Sequence, residues 1–253
     1  MKKYKVDAIY NLVALLSAKG EHMPGVAWHL NITALINALR VVKKDIGEAK
    51  VVINGAGSAG IAIGKHLMNL GVKHLKMVDR FGILCEGEDM NPAQAEMAKI
   101  TNPEKFSGKL ADAMKGADAF IGVSAPHIVS REMVQSMAPG AIVFPMANPV
   151  PEIEPDDAKA AGAAVVGTGR SDHPNQINNV MCFPGLFRGA LDVRARDINE
   201  AMKQAASFAL ADLVAPEELT ADYILPLAFD KRIGPAVSKA VAQAARDSGV
   251  ARL

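Results

Sequence analysis

The feature that most constrains this chain is an apolar run, Val51-Val52-Ile53, that feeds through Asn54 directly into Gly55-Ala56-Gly57-Ser58-Ala59-Gly60. The order strand, glycine turn, helix is what the pyrophosphate of a dinucleotide requires. The first glycine permits the sharp turn out of the strand, the second lets backbone amides approach phosphate, and the third lets the helix lie close on the sheet. A helix expected over Ala59 to Leu70 aims its positive end at the anion. Three glycines at this spacing can also be an ordinary turn, so the context decides. A second apolar run, His74 to Val78, ends in Asp79 about twenty residues further on, where a carboxylate can accept hydrogen bonds from ribose hydroxyls. Asp79 also repels a 2′-phosphate, which favours NAD over NADP, while the adjacent Arg80 either stacks on adenine or meets a phosphate.

The rest of the chain alternates strand and helix. A helix from Trp28 to Val42 precedes the first strand, carrying Leu30, Leu35, Ile36 and Leu39 on one face. After the Asp79 strand come a polar loop from Arg80 to Asp89 and Asn91-Pro92, a cap and first-turn proline for a helix over Ala93 to Lys99. A short helix over Leu110 to Lys115 leads into a strand at Ala117 to Ser124. Ser130 caps a helix over Arg131 to Met137, with Met133 standing where a capping box needs Glu or Gln. A strand at Ala141 to Ala147 runs into Asn148-Pro149-Val150-Pro151-Glu152, and the unit repeats as a helix over Pro155 to Ala161 and a strand at Ala164 to Thr168. This pattern predicts an α/β fold, a doubly wound parallel sheet of Rossmann type, with ligands at the carboxyl ends of the strands. Ser124, Asn148 and Thr168-Gly169-Arg170 fall at such ends. Beyond Arg194 we expect a long helix over Ala195 to Leu213, an extended piece at Ile224 to Leu227, and a last helix over Pro235 to Arg246. Flanking helices are also expected at the N-terminus, including one over Val6 to Ala18 closed by Gly20. Residues 1–27 read as an extension and 28–253 as one dinucleotide-binding domain.

Bulk properties exclude several classes. With 253 residues the chain can bury a sizeable core, and a net charge of +1 with 22% charged residues gives no electrostatic reason to bind nucleic acid or an anionic membrane. No run reaches the ~20 apolar residues of a membrane-spanning helix. The apolar stretch Asn11 to Ala18 is short and follows Asp7, which reads against a secretory leader. Cys85 and Cys182 have no partner pattern, so neither a disulfide framework nor a zinc site is signalled and the expected compartment is the reducing cytoplasm.

On these segments the chain resembles the NAD-binding, carboxyl-terminal domain of malic enzymes, which oxidise malate and decarboxylate the product to pyruvate. The resemblance runs from about Leu35 to Leu253. It is carried by Val51–Gly60, Phe120–Ser124, Ala147–Glu152, Thr168–Asp172, Asn178–Val180 and Phe183–Asp192. It implies that Gly55, Ala56, Gly57, Ser58, Ala59 and Gly60, with Asp79, Arg80, Ser124 and Asn148, hold the cofactor. It further implies that Asn148 sits between nicotinamide and a malate-like substrate and that Asn179 is a second substrate contact. A neutral amide suits that place, because it hydrogen-bonds a hydroxyl or carboxylate without adding charge beside the nicotinamide.

The resemblance also implies a divalent metal, Mg or Mn, and an amino-terminal domain that brings a catalytic tyrosine, a catalytic lysine and an acidic pair. Met1 to Met23 is too short to hold that domain. A third family ligand, an aspartate, is due near Pro24 to Trp28, where no carboxylate stands. Tyr4, Lys5 and Tyr10, and Glu21 with His22, read as solvated side chains rather than replacements. His173, beside Asp172, is the histidine nearest the expected substrate loop, and Arg170 and Arg188 either attract a dicarboxylate or pair with Asp172 and Asp192. Three readings follow. The chain is an NAD-dependent malic enzyme (malate dehydrogenase, decarboxylating), as a homo-oligomer or with a partner that supplies the missing domain; it is a non-catalytic NAD-binding module; or it is a dehydrogenase for another small 2-hydroxy acid or amino acid.

Overall fold

The computed structural model describes residues 29–87 and 90–253. The proposed extension 1–27, the Val6 to Ala18 helix, the Pro24 to Trp28 segment, and Tyr4, Lys5, Tyr10, Glu21 and His22 lie outside the described residues.

The elements follow the expected alternation. α1 (His29–Val42), β1 (Lys50–Asn54), α2 (Ser58–Asn69), β2 (His74–Val78), α3 (Pro92–Thr101), α4 (Leu110–Met114), β3 (Ala119–Gly122), α5 (Arg131–Gln135), β4 (Ile142–Pro145), α6 (Pro155–Ala160) and β5 (Val165–Val166) are succeeded by a 3-10 turn at Asn179–Met181. Three helices close the chain: α7 (Phe183–Asp192), α8 (Glu200–Ala211) and α9 (Ile233–Asp247). The five strands are all parallel in the order β2-β1-β3-β4-β5. Because strand side chains alternate in direction, each strand feeds two cores. Val51, Ile53, Leu75, Met77, Ala119, Ile121, Ile142, Phe144 and Val165 face one, shared with α1, α2, α3, α7, α8 and α9. Val52, Val78, Phe120, Val143 and Val166 face the other, shared with α4, α5 and α6. The near-continuous apolar composition of the strands is thus the consequence of burial on both faces.

Local capping explains several boundaries. Asn91 and Gln94 form a reciprocal capping box at the start of α3, and Ser130 accepts from the Met133 amide as the single cap of α5. The helix expected from Ala195 begins instead at Glu200, because the Asn199 side chain accepts from the Met202 amide and fixes the start there. α7 was not expected. Its Gly185 and Gly189 are weak helix formers, but a β-carbon at either would meet Val237 at 2.6 Å or the Ser238 carbonyl at 2.4 Å, so the glycines let α7 lie against α9. The piece at Ile224 to Leu227 is irregular rather than a strand, anchored where the Ile224 amide donates to Asn175 Oδ1 at 3.0 Å.

Candidate dinucleotide site

In this strand order β1 is succeeded by β2 on one side and paired with β3 on the other, so the loops leaving β1 and β3 turn in opposite directions and a crevice opens between them. A cavity of about 1000 Å³ occupies it. Its walls are the glycine loop (Asn54 to Gly57), the Asp79 to Gly82 turn, the start of α3 with Asn91 and Gln94, Lys109, and the β3 loop with Ser124.

The glycine loop is held by its own geometry. Gly55 has φ +118°, a left-handed region that favours glycine, and its amide donates to the Val78 carbonyl at 2.8 Å. A β-carbon there would lie 2.5 Å from the Val123 carbonyl. At Gly60 it would lie 1.8 Å from the Gly55 carbonyl, whereas at Gly57 it would meet nothing within 4 Å. Gly57 is the N-cap of α2 without a side-chain capping bond, so the first amides of the helix are left for an anion. Gln94 Nε2 donates to the Ala56 carbonyl at 3.2 Å, tying α3 to the loop.

Asp79 directly follows β2, and its Oδ1 accepts from the Phe81 and Gly82 amides at 2.7 and 3.2 Å. This holds the carboxylate at the cavity wall. Arg80 stacks over the Phe81 ring at 4.5 Å, and Lys109 Nζ donates to the Phe81 carbonyl at 2.7 Å, so two cations border the same turn. Ser124 is exposed to the crevice, where its Oγ accepts from Asn54 Nδ2 at 2.6 Å.

The structure does not bring every expected residue into this cavity. Ser58, Ala59 and Gly60 belong to the first turn of α2, and Ser58 borders a separate hollow of about 600 Å³ between α2 and α3. Asn148 is exposed on the loop after β4 and Asn179 is half-buried at the start of the 3-10 turn, both outside the cavity walls. Arg170 pairs with Asp172 at 2.9 and 2.6 Å and with Glu154 at 3.2 Å, and Arg188 pairs with Asp192 at 2.8 Å. The Arg170 hydrogen bond holds the Asp172 carboxyl at about 2. His173 Nε2 stands 3.9 Å from Asp172. Burial alone pushes the Cys182 thiol up to about 12, which leaves it inert. Among the described residues no three His, Cys, Asp or Glu side chains group to hold a metal, so these residues do not by themselves fit the divalent ion that the resemblance implies.

Residues that sequence reasoning did not single out include Asn54, Gln94, Lys109 and Glu152. Asn54 adjoins the glycine turn and was legible from its place. The others reach the site through tertiary contacts.

The malic enzyme, NAD binding domain model matches residues 26–246. The chain belongs to the malic enzyme family. It is 55% identical over 226 residues to the bifunctional malic/malolactic enzyme of Bacillus subtilis (strain 168), covering 88% of this chain and 55% of that protein. It is 50% identical to an NAD-dependent malic enzyme of Geobacillus stearothermophilus, covering 87% of the chain and 46% of that protein. An NADP-dependent malic enzyme of Haemophilus influenzae is 44% identical, with 88% and 32% covered. The solved NAD-dependent malic enzyme of Thermotoga maritima superposes with a TM-score of 0.81 at 45% identity, covering 86% of this chain and 57% of that one. The malic enzyme of Pyrococcus horikoshii gives 0.84 at 42%, with 90% and 55% covered. The chain thus spans about half the length of the first of these relatives, or less.

Proposed function

We propose that this malic-enzyme domain binds NAD in the crevice between β1 and β3 and serves as the cofactor half of an oxidoreductase that converts malate to pyruvate by oxidative decarboxylation. The observation that carries the reading is that an open Gly57 at the α2 N-terminus and the Asp79 carboxylate line one cavity. When bound, NAD supplies the hydride acceptor. The residues of the chain supply the rest of the site. Backbone amides of Gly57 and the first turn of α2 take the phosphates, Asp79 takes ribose hydroxyls and disfavours a 2′-phosphate, and Arg80 and Lys109 border the adenine side. Ser124 lies on the β3 side of the crevice, and Asn148 and Asn179 offer amides to a malate-like substrate.

Oxidising the malate hydroxyl needs a base, and decarboxylation needs an electrophile for the developing enolate. We assign the metal to residues outside the described ones, to another copy of the chain or to a partner, since the described residues contain no metal cluster, and we place the base and the electrophile with it. The domain division at residue 28 belongs to the same proposal. A reducing cytoplasm suits Cys85 and Cys182, which are free thiols, and no described helix is long and apolar enough to cross a membrane.

The deciding experiment is calorimetry of the purified chain with NAD and NADP, combined with NADH formation from malate in the presence of Mn²⁺. Tighter binding of NAD than NADP with malate-dependent turnover is expected of the enzyme. Binding without turnover at high protein concentration establishes a non-catalytic NAD-binding module, and failure to bind either nucleotide overturns both.

A further inference from the structure

Glu152 is fully buried, and among the described residues it is the one buried carboxylate. Its Oε1 accepts from the Ser124 amide at 2.9 Å and from the Ser124 hydroxyl at 3.3 Å, and its Oε2 accepts from the Ala147 amide at 2.9 Å. The Glu152 carbonyl accepts from the Val129 amide at 3.0 Å. One residue therefore joins the β3 loop, the β4 loop and the entry to α5. Gly122 makes the room, since a β-carbon there would lie 2.4 Å from the Glu152 carboxyl carbon.

The Ser124 hydroxyl has one proton to donate and two lone pairs to accept with. The proton goes to Glu152 and one lone pair takes the Asn54 amide proton at 2.6 Å. What remains toward the crevice is a single acceptor. The group of a ligand that meets it must be a donor, such as a ribose hydroxyl or a carboxamide NH₂, and not a phosphate oxygen. We infer that Glu152 is a positioning residue that fixes Ser124 as an acceptor for the nicotinamide riboside half of the dinucleotide and holds the Asn148 loop to the same wall. This rests on the dinucleotide reading above. The adenine half, carried by Gly57 and Asp79, makes no use of this chain of hydrogen bonds.

The prediction is therefore selective between two probes, NADH and ADP, which lacks the nicotinamide riboside. Glu152→Gln keeps the shape but offers one acceptor oxygen in place of two, so it cannot accept from both Ser124 and Ala147. Calorimetry of the full-length chain is expected to show NADH bound tenfold or more weakly by Glu152→Gln and ADP within twofold of the parent. Ser124→Ala, which disturbs the fold least, is expected to show the same split at fivefold or more. In the Ser124→Ala background the added effect of Glu152→Gln on NADH is expected to shrink below threefold, because the two changes break one path. An equal loss for both probes makes Glu152 a purely structural residue and overturns the inference, as does unchanged NADH binding in Ser124→Ala. If ADP fails to bind the parent chain, the dinucleotide reading fails first and the inference falls with it.

Discussion

A β-carbon on Gly60 would stand 1.8 Å from the carbonyl oxygen of Gly55, so the start of α2 and the turn out of β1 are pressed together at van der Waals limits and beyond. Three residues earlier, Gly57 has open space on the same side of its backbone. Two glycines of one motif thus do different work: Gly60 closes the fold and Gly57 leaves room for a ligand.

This separation is measurable. Gly60→Ala drives a methyl into backbone that cannot swing aside, and overpacking of this kind costs roughly 1–3 kcal/mol or more. It is expected to lower the melting midpoint by about 2–12 °C or more, at ~2–4 °C per kcal/mol for a chain of this size. Gly57 has φ −83°, which alanine adopts freely. Gly57→Ala is expected to melt within about 2 °C of the parent while binding NAD at least tenfold more weakly. Equal NAD affinity in Gly57→Ala would show that phosphate does not approach there.

Asp79 tests the choice of nucleotide. Its Oδ1 accepts two backbone amides that an asparagine oxygen can also satisfy, so Asp79→Asn removes charge while retaining the turn. Losing one repulsive charge near a phosphate is worth on the order of 1 kcal/mol or more. The ratio of NADP to NAD affinity is expected to rise about tenfold, with little change in the melting midpoint. An unchanged ratio would place the 2′ position away from Asp79.

Much of this site was legible because the sequence signals are local. Val51-Val52-Ile53 before Gly55, and Asp79 directly after Val78, fix a strand, a turn and a carboxylate by nearest-neighbour chemistry alone. Glu152 was not legible, although it sits in a segment that marks the family. Its role arises from Ser124, which is 28 residues away, and from the missing β-carbon of Gly122, and no local pattern reports either. The helix α7 escaped notice for a related reason, since Gly185 and Gly189 argue against a helix until Val237 and Ser238 are seen against them. The start of α8 was misplaced because the cap that defines it, Asn199, is one polar residue among several.

His66 gives the stability a pH dependence of known sign. It is a buried side chain whose burial lowers the imidazole below its ordinary 6.5, against the pull of the Glu200 carboxylate 3.3 Å from Nδ1. Well above pH 6.5 the residue is neutral in both folded and unfolded chains and contributes no slope. As pH falls from 6.5 through the lower folded value, the unfolded chain takes up a proton that the folded one resists, so stability is lost. The melting midpoint is expected to fall between pH 6.5 and 5, and to fall less in His66→Gln. Parallel curves for the two proteins would show that another group sets the slope.

Asn37 ties α8 and the irregular piece after it to α1. It is fully buried on α1, and its Nδ2 donates to the carbonyls of Ala211 at 3.0 Å and Ile224 at 2.9 Å, so one amide group caps the end of α8 and pins the irregular piece after it. Its Oδ1 accepts from Arg40, which also reaches Asp212 at 3.1 Å. Replacing it with leucine keeps the volume near enough for the core but strands the Ile224 carbonyl, at ~1–3 kcal/mol, and leaves the Ala211 carbonyl with the Val214 amide at 3.3 Å. The expected loss of roughly 1–3 kcal/mol corresponds to a fall of about 2–12 °C in the melting midpoint. Asn37→Asp is the sharper test. Near neutral pH its carboxylate would face two carbonyl oxygens with no proton to give, and it is expected to destabilise more than leucine does. Lowering the pH toward 4 protonates the carboxyl, restores one donor and should recover part of the loss. A leucine variant that melts within about 2 °C of the parent would mean that the Ile224 carbonyl does not depend on Asn37 for its hydrogen bond.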